Sequence, residues 1–256
     1  MKTKNGFTLI ELLIVIAVIA ILAAILLPTL ASAKKHAYMM NCTSNMKQIG
    51  QAVTLFADDH RDVLPPGPSE ELPAGSPTGL GTGQEEVYST VTPHSSQQLL
   101  YSVATYLGAP EPKEELQTCK TFECPAAFLA NPNMANITND LFYCVIAASD
   151  SFTAALPGLP WNPFGHASAG GVHKLAEIRP AIWSGRMPWM LTDCDRWGLD
   201  LPPPPNPSPW GLEICATPPH AKVRNFVFFD GHVDHKLAIQ KPADYPDGKW
   251  SLSDQF

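Results

Sequence analysis

The segment from Phe7 to Leu27 reads FTLIELLIVIAVIAILAAILL, and only Thr8 and Glu11 interrupt its apolar side chains. As a helix rising about 1.5 Å per residue, it is about 30 Å long, which matches the hydrocarbon core of a bilayer. A helix also pairs the backbone amides and carbonyls that lipid cannot solvate. Lys2 and Lys4 precede the segment, and this favours a cytoplasmic N-terminus. The sequence predicts a single transmembrane helix at residues 7–27.

The same segment can be processed in three ways. Ala31-Ser32-Ala33 fits the small-x-small rule of a secretory signal peptidase. Against this, the apolar run exceeds the usual signal-peptide length of about 7 to 15 residues, and Glu11 is costly at membrane depth. An uncleaved membrane anchor would also have to place Glu11 at membrane depth. Cleavage between Gly6 and Phe7 would instead place a new amino group near Glu11, where the ammonium of a neighbouring subunit could neutralise the carboxylate.

The residues around this point, Lys4 to Glu11 (KNGFTLIE), resemble the processing site of type IV prepilins and of the pseudopilins of type II secretion. The resemblance implies that a prepilin peptidase cuts after Gly6 and methylates Phe7, and that Glu11 guides assembly. It also implies other pilin or pseudopilin subunits as partners. The protein would be a single-pass inner-membrane protein, with its globular domain in the periplasm or in an extracellular filament.

A second helical pattern follows the membrane segment. Pro28 predicts a kink rather than an end, because it removes one amide donor from a helix that has reason to continue. Beyond it, apolar residues recur at helical spacing and form one stripe, comprising Cys42, Met46, Ile49, Val53 and Phe56. We expect one helix from about Thr8 to about Asp59, whose part at 28–60 is amphipathic and packs on a globular domain at 61–256.

The globular region has a weaker pattern. Residues 65–96 are rich in Gly, Pro, Ser and Thr and predict an exposed excursion. A short helix is expected at Leu99–Leu107 and ends at Gly108, and Cys124-Pro125 is expected to close a loop. A buried strand is predicted at 141–148, where periodicity alone also allows a helix, and a second short strand is predicted at 189–192. The Pro-rich segment 201–210 is expected to be an extended loop.

The C-terminal region predicts a hairpin. Asn225–Phe229 and His232–His235 flank Asp230-Gly231, a pair suited to a two-residue turn with positive φ at both positions. His220 precedes Asp230 by ten residues, and the segment 220–231 resembles the H-X9-DG domain at the C-terminus of many prepilin-like proteins. Three patches agree with that family, namely Cys42–Gly50, Phe122–Pro125 and Asp193 after an apolar run.

The cysteines are even in number, and the outer face of the membrane is oxidising, which favours disulfides. The six are Cys42, Cys119, Cys124, Cys144, Cys194 and Cys215. Cys119 and Cys124 are close enough in sequence to close a small loop, whereas the family resemblance implies Cys42 with Cys124. Both pairings cannot hold. A zinc site is the weaker alternative, because the sequence has no C-x-x-C pair.

Imidazoles and carboxylates cluster along the predicted hairpin, and include His220, Asp230, His232, Asp234 and His235. A structural turn accounts for Asp230, and a half-solvated strand accounts for the rest. Calcium is the cation to consider, given the oxygen donors of Asp230, Asp234, Asp244 and Asp247, and no other cofactor is expected. The chain has no G-x-S-x-G, H-E-x-x-H or phosphate-binding glycine loop, so we do not expect an enzyme.

Composition completes the interpretation. The 256 residues carry a net charge of -7, which argues against nucleic acid as a partner, and 26 prolines with 17 glycines predict long loops. We expect an α+β, pilin-like fold in which a long N-terminal helix packs on a small antiparallel sheet. The expected function is structural, in a pilus or a pseudopilus. The alternative is a membrane-anchored secreted enzyme or carbohydrate-binding protein, whose ligand would meet the tryptophans of the loops.

Overall fold

The computed structural model describes residues 8–65, 83–91, 98–132, 134, 141–145, 164, 174–178, 189–194, 215, 217–220 and 222–238. The expected loop at 201–210 lies outside these residues.

Helix α1 spans Leu9–Asp59, 51 residues, and passes through Pro28 without ending. The prediction of one helix from about Thr8 to about Asp59 is therefore confirmed. The first half of α1 does not pack against the rest of the described chain, because its large apolar side chains from Leu9 to Leu30 are 49% to 86% exposed.

The second half of α1 is amphipathic. Four members of the predicted stripe are fully buried, together with two alanines on the same face: Cys42, Met46, Ile49, Ala52, Val53 and Ala57. Phe56, the last member of the stripe, is only half-buried, and its ring stacks on His60 with the centroids 3.8 Å apart. The spacing predicted the buried face because an α-helix repeats every 3.6 residues.

The strands form two antiparallel sheets. They are β1 (Gly83–Glu85), β2 (Val87–Tyr88), β3 (Gln117–Thr118), β4 (Leu141–Val145), β5 (Trp189–Asp193), β6 (Val223–Phe228) and β7 (Val233–Leu237). The larger sheet has the order β1-β4-β5-β6-β7, and β2 pairs with β3 in a two-stranded sheet. With helix α1 packed on it, this is the predicted α+β, pilin-like fold.

Short helices complete the described part. They are α2 (Leu99–Val103), α3 (Pro125–Ala130) and α4 (Leu175–Ile178), with 3-10 turns at Thr105–Leu107 and Lys120–Phe122. The helix predicted at 99–107 is present as α2 and the following turn, and it ends at Gly108 with φ 73°.

Helix α1 lies on one face of the larger sheet, against β5, β6 and the edge strand β7. The closest approach is at Gly50, where a Cβ would lie only 2.8 Å from Cγ2 of Val227. A side chain at this position would force the Val227 side chain or the helix to shift, so glycine permits the close approach.

Two expectations for the loops are wrong. Part of the predicted exposed excursion is strand, and Val87 and Tyr88 are buried, with the Tyr88 hydroxyl donating to the Pro110 carbonyl at 2.8 Å. A short β-prone pair is enough to build a strand where a partner strand, β3, supplies the hydrogen bonds. Cys124-Pro125 begins α3 rather than closing a loop, because proline fits the first helical position.

The hairpin is confirmed, but its predicted turn is wrong. β6 and β7 pair up to Val227 and Val233, the Gly231 N–H donates to the Phe228 carbonyl at 2.8 Å, and the Phe228 N–H donates to the His232 carbonyl at 3.0 Å. Of the two turn residues, only Gly231 has positive φ, at 86°. This is the longer hairpin loop in which a left-handed glycine follows an ordinary turn.

Candidate functional sites: the start of helix α1 and a buried cysteine–histidine cluster

The start of α1 is closed by a reciprocal cap. Thr8 donates to Oε2 of Glu11 through its N–H at 2.8 Å and through its hydroxyl at 2.7 Å, and the Glu11 N–H donates to the Thr8 hydroxyl oxygen at 3.2 Å. A carboxylate is favourable here because the first turn of a helix carries unpaired N–H groups and the positive end of the helix dipole. Glu11 is thus fixed one turn into the helix. Gly6 and Phe7 lie outside the described residues.

Beyond this cap, α1 is the one helix in the described ranges that is long and apolar enough to cross a membrane. None of its most apolar window is covered by the rest of the described chain. Such a surface suits contact with lipid or with other helices, because exposed apolar area in water is unfavourable.

A second site lies where α1 enters the domain. The sulfurs of Cys42 and Cys124 and a ring nitrogen of His220 all lie within 4.8 Å of one another. The Cys124 Sγ is 3.6 Å from Nε2 of His220, and the same nitrogen is 3.5 Å from Oδ2 of Asp193. The side chains of His220 and Asp193 are 1% and 0% exposed. We call these four residues the Cys–His cluster.

Hydrogen bonds from neighbouring residues position the cluster. Asn45, one turn after Cys42, donates through Nδ2 to the Glu123 carbonyl at 2.9 Å, which fixes the chain just before Cys124. The Asn225 N–H donates to Oδ2 of Asp193 at 2.7 Å, which joins the end of β5 to β6. Asn45 lies beside the buried stripe of α1 and is itself half-buried.

The four groups interact electrostatically. A hydrogen bond with Cys124 lowers the pKa of the Cys42 thiol to about 6, and His220 adds to this effect against the cost of burial. Burial lowers the pKa of His220, but hydrogen bonds with Asp193 and Cys42 outweigh it and raise the pKa to about 10. Burial raises the pKa of Cys124. These shifts favour the thiolate form of Cys42 and the protonated form of His220, and a thiolate suits either a soft cation or oxidation.

The other cysteines lie elsewhere. Cys119, Cys194 and Cys215 are buried outside the cluster, and the structure has no disulfide between the five cysteines whose side chains are described. Cys144 belongs to β4, and its side chain lies outside the described part. The disulfides expected from the sequence stay a prediction; of the two candidate pairings, the cluster brings Cys42 and Cys124 together.

The H-X9-DG segment separates into two places. The His220 side chain lies in the buried cluster, whereas Asp230 and Gly231 form the exposed turn of the hairpin. Oδ1 of Asp230 accepts a hydrogen bond from the His232 N–H at 3.1 Å.

Of the carboxylates considered for calcium, the two that the structure describes bind other residues of the hairpin. Asp230 pairs with the His232 ring, and Asp234 pairs with Lys236 and accepts the His235 N–H at 2.8 Å. His235 is directed to Asn225, with Nδ1 2.6 Å from Oδ1. Asp244 and Asp247 lie outside the described residues.

Sequence reasoning missed the cluster as a site, although a signal was present. The four family-like patches contain one member each, Cys42, Cys124, Asp193 and His220. Their convergence was not predictable from spacing, because the residues are far apart in sequence.

Comparison with known proteins bears on the N-terminus. No solved structure matches the chain. One curated relative, the "Type IV wide pilus major component PilA4" of Thermus thermophilus, is 68% identical over 37 residues, which cover 14% of this chain and 28% of the relative. The chain thus matches little more than a quarter of that protein's length. Residues 1–27 match the family model described as the prokaryotic N-terminal methylation motif, so this chain carries a prepilin-type N-terminal motif.

Proposed function

We propose that the chain is a structural subunit of a type IV pilus or of a type II secretion pseudopilus. The observation that carries the proposal is the uncovered apolar half of α1, which begins at a capped carboxylate and coincides with the methylation motif. The similarity to a pilus component over part of the chain supports it.

The first half of α1 needs two successive environments in this proposal. Fully burying one Leu or Ile side chain contributes about 1.5 to 3 kcal/mol, so a helix with this many exposed apolar side chains is stable only in lipid or in a bundle. Before assembly the helix would lie in the inner membrane, with the N-terminus cytoplasmic. After assembly it would be surrounded by the same helices of other subunits.

Processing would prepare the N-terminus for assembly. Residues 1–6 would be the leader, and prepilin peptidase would cut after Gly6 and methylate Phe7. Because Thr8 is the N-cap, a single residue would then separate the new amino group from the helix. The ammonium group of one subunit could therefore meet Glu11 of a neighbour and neutralise it inside the bundle.

The rest of the chain would form the domain displayed by the filament. Residues 28–60 are the part of α1 that joins this domain, and 61–256 complete it, including an H-X9-DG domain around 220–231. We assign it no catalytic role. Of the tryptophans that suggested a carbohydrate-binding alternative, none has a side chain in the described part, so no observation favours that alternative.

The processing site gives the direct test. We expect the intact mass of the membrane-extracted protein to correspond to a chain that begins at Phe7 with one added methyl group. The variant Gly6→Leu should retain the leader, while the matched control Asn5→Ala should be processed normally. A mature chain beginning at Lys34 would identify a secretory signal peptide and contradict the proposal. Electron microscopy of sheared surface material and of periplasmic fractions would distinguish a pilus from a pseudopilus.

A further inference from the structure

We propose that the Cys–His cluster binds one zinc ion through the thiolates of Cys42 and Cys124 and the ring of His220, with the Asp193 carboxylate beside His220 as the counter-charge. The proposal concerns the stability of the globular domain and does not depend on filament assembly. Either proposal can fail without the other.

The distances within the cluster fit a tetrahedral ion. With zinc bonds of about 2.3 Å to sulfur and about 2.0 to 2.1 Å to nitrogen, a tetrahedron places sulfur and nitrogen about 3.6 Å apart. Cys124 Sγ and His220 Nε2 are 3.6 Å apart, and the two sulfurs and a ring nitrogen of His220 all lie within 4.8 Å of one another. Three donor atoms therefore lie close enough together to hold one ion.

The chemistry of the donors selects zinc over the hard cations. Two thiolates and an imidazole are the ligands of structural zinc sites, whereas calcium and magnesium take oxygen ligands. Each coordinating thiol would lose its proton to solvent when the ion binds. The calcium considered from the sequence would need the hairpin carboxylates, which are paired with His232 and Lys236.

Burial gives a second, independent observation. Oδ1 of Asp193 is a buried oxygen that has no hydrogen-bond partner in the described structure. An unpaired buried carboxylate oxygen is costly, and a nearby cation would satisfy it. The other oxygen, Oδ2, accepts the Asn225 N–H at 2.7 Å and lies 3.5 Å from His220 Nε2, so the carboxylate is held beside the proposed histidine ligand.

The position of the cluster indicates what the ion would do. Its members come from four separate segments: Cys42 from α1, Cys124 from the start of α3, Asp193 from the end of β5, and His220 from the chain before β6. Cys42 is also the first fully buried residue of α1. Zinc would therefore fasten the long helix to the sheet at the point where the helix enters the domain.

A disulfide between Cys42 and Cys124 is the competing state, because it would consume both sulfur ligands. In that state His220 and Asp193 would remain as a buried pair, and Oδ1 of Asp193 would still lack a hydrogen-bond partner. A bound zinc ion would engage both sulfurs and the imidazole and place a positive charge near that oxygen, and this favours zinc.

The test uses the full-length protein, extracted from membranes in detergent without chelator or reductant. We expect elemental analysis to find about one zinc per chain, and the cobalt-substituted protein to show thiolate charge-transfer and tetrahedral d–d absorption bands. His220→Asn and Cys42→Ser should reduce the zinc content to less than about a tenth of this. His232→Asn and Cys119→Ser are matched controls outside the cluster and should retain it.

A second measurement keeps the test valid if the variants fail to fold. Wild-type protein treated with chelator should regain its melting temperature on addition of zinc, but not of calcium. Two results would overturn the proposal. One is a disulfide-linked peptide pair containing Cys42 and Cys124 in freshly isolated protein. The other is metal-free protein with reduced thiols whose melting temperature does not change when zinc is added. Filament formation, scored in the same preparation, reports separately on the proposed function.

Discussion

The two halves of helix α1 present opposite surfaces, although they are one continuous helix. From Leu9 to Leu30 the large apolar side chains are 49% to 86% exposed, whereas from Cys42 to Ala57 one face is buried against the sheet and the short helices. The first half is apolar on all sides, and the second is apolar on one side only.

This difference shows that α1 forms as a helix along its whole length whether or not its side chains are buried by the rest of the chain. Backbone hydrogen bonds continue through both halves, but only the second half finds its packing partners within the chain. The change occurs around Lys34, Lys35 and His36, and the Lys34 ammonium lies 5.6 Å from the centroid of the Tyr38 ring. Mutations in the first half should therefore affect assembly, and mutations in the second should affect folding.

The largest effect is expected at the start of the first half. Glu11→Ala removes the carboxylate that we propose to pair with a neighbouring ammonium, and losing one partner of a buried ion pair costs about 3 to 5 kcal/mol. We expect filament yield, measured by electron microscopy and shear recovery, to fall at least about tenfold.

The same variant should be processed normally, and its globular domain should unfold at the unchanged denaturant concentration. The exposed Glu114 provides the control, since Glu114→Ala removes a carboxylate far from α1's start. If Glu11→Ala gave a normal filament yield, Glu11 would have no role in assembly.

A paired substitution sharpens the contrast between the halves. Ile49 is fully buried, so Ile49→Ala should lower the free energy of unfolding of the domain by about 2 to 5 kcal/mol. Leu22 is 55% exposed within the chain, so Leu22→Ala should leave that free energy nearly unchanged and weaken only assembly.

Denaturant titration of the full chain in detergent, followed by tryptophan fluorescence, measures the first effect. If Leu22→Ala destabilised the domain as much as Ile49→Ala, the two halves would not be independent in folding and the comparison would fail.

The contact between α1 and the sheet should give a smaller effect. Gly50→Ala places a Cβ 2.8 Å from Cγ2 of Val227. Overpacking of this kind costs about 1 to 3 kcal/mol, and the better helix propensity of alanine offsets about 1 kcal/mol of that cost. We expect a net loss of up to about 2 kcal/mol in the free energy of unfolding.

Val227→Ala should relieve this clash, so the double variant should be more stable than the sum of the two single effects by about 1 kcal/mol. Additive effects in this cycle would mean that the close approach of helix and strand does not limit packing here.

The contrast between the halves was predictable from sequence because both patterns are local. An uninterrupted apolar run and a stripe at 3.6-residue spacing each specify a helix and its buried face without reference to the remaining chain. The strands at 141–145 and 189–193 were predictable for the same reason, as short apolar runs. Val87 and Tyr88 were not, because a two-residue strand depends on its partner at Gln117–Thr118.

The Cys–His cluster was unpredictable because its geometry is produced by tertiary packing. Cys42 follows from the helical stripe, but nothing in its spacing relates it to Cys124 or to His220. The H-X9-DG pattern even suggests that His220 belongs with Asp230, whereas the fold carries His220 into the core and leaves Asp230 at the surface. Residue types indicated the chemistry, and only the structure indicated which residues meet.

The smallest effect is expected at that exposed turn, where we replace Gly231. Its φ of 86° is in the left-handed region, and nothing lies within 4 Å of the position that a Cβ would take, so strain in the backbone is the main cost of a side chain. Gly231→Val should lower the free energy of unfolding by about 1 to 2 kcal/mol, measured by denaturant titration of the full chain in detergent. Gly231→Asn is the matched control, because asparagine tolerates this conformation and should cost less. His232→Ala removes a half-exposed ring that stacks on Phe228, and should cost less than Gly231→Val. If His232→Ala instead lowered the free energy of unfolding most of the three variants, the turn would be a ligand-binding site. Its assignment as a purely structural hairpin turn would then be wrong.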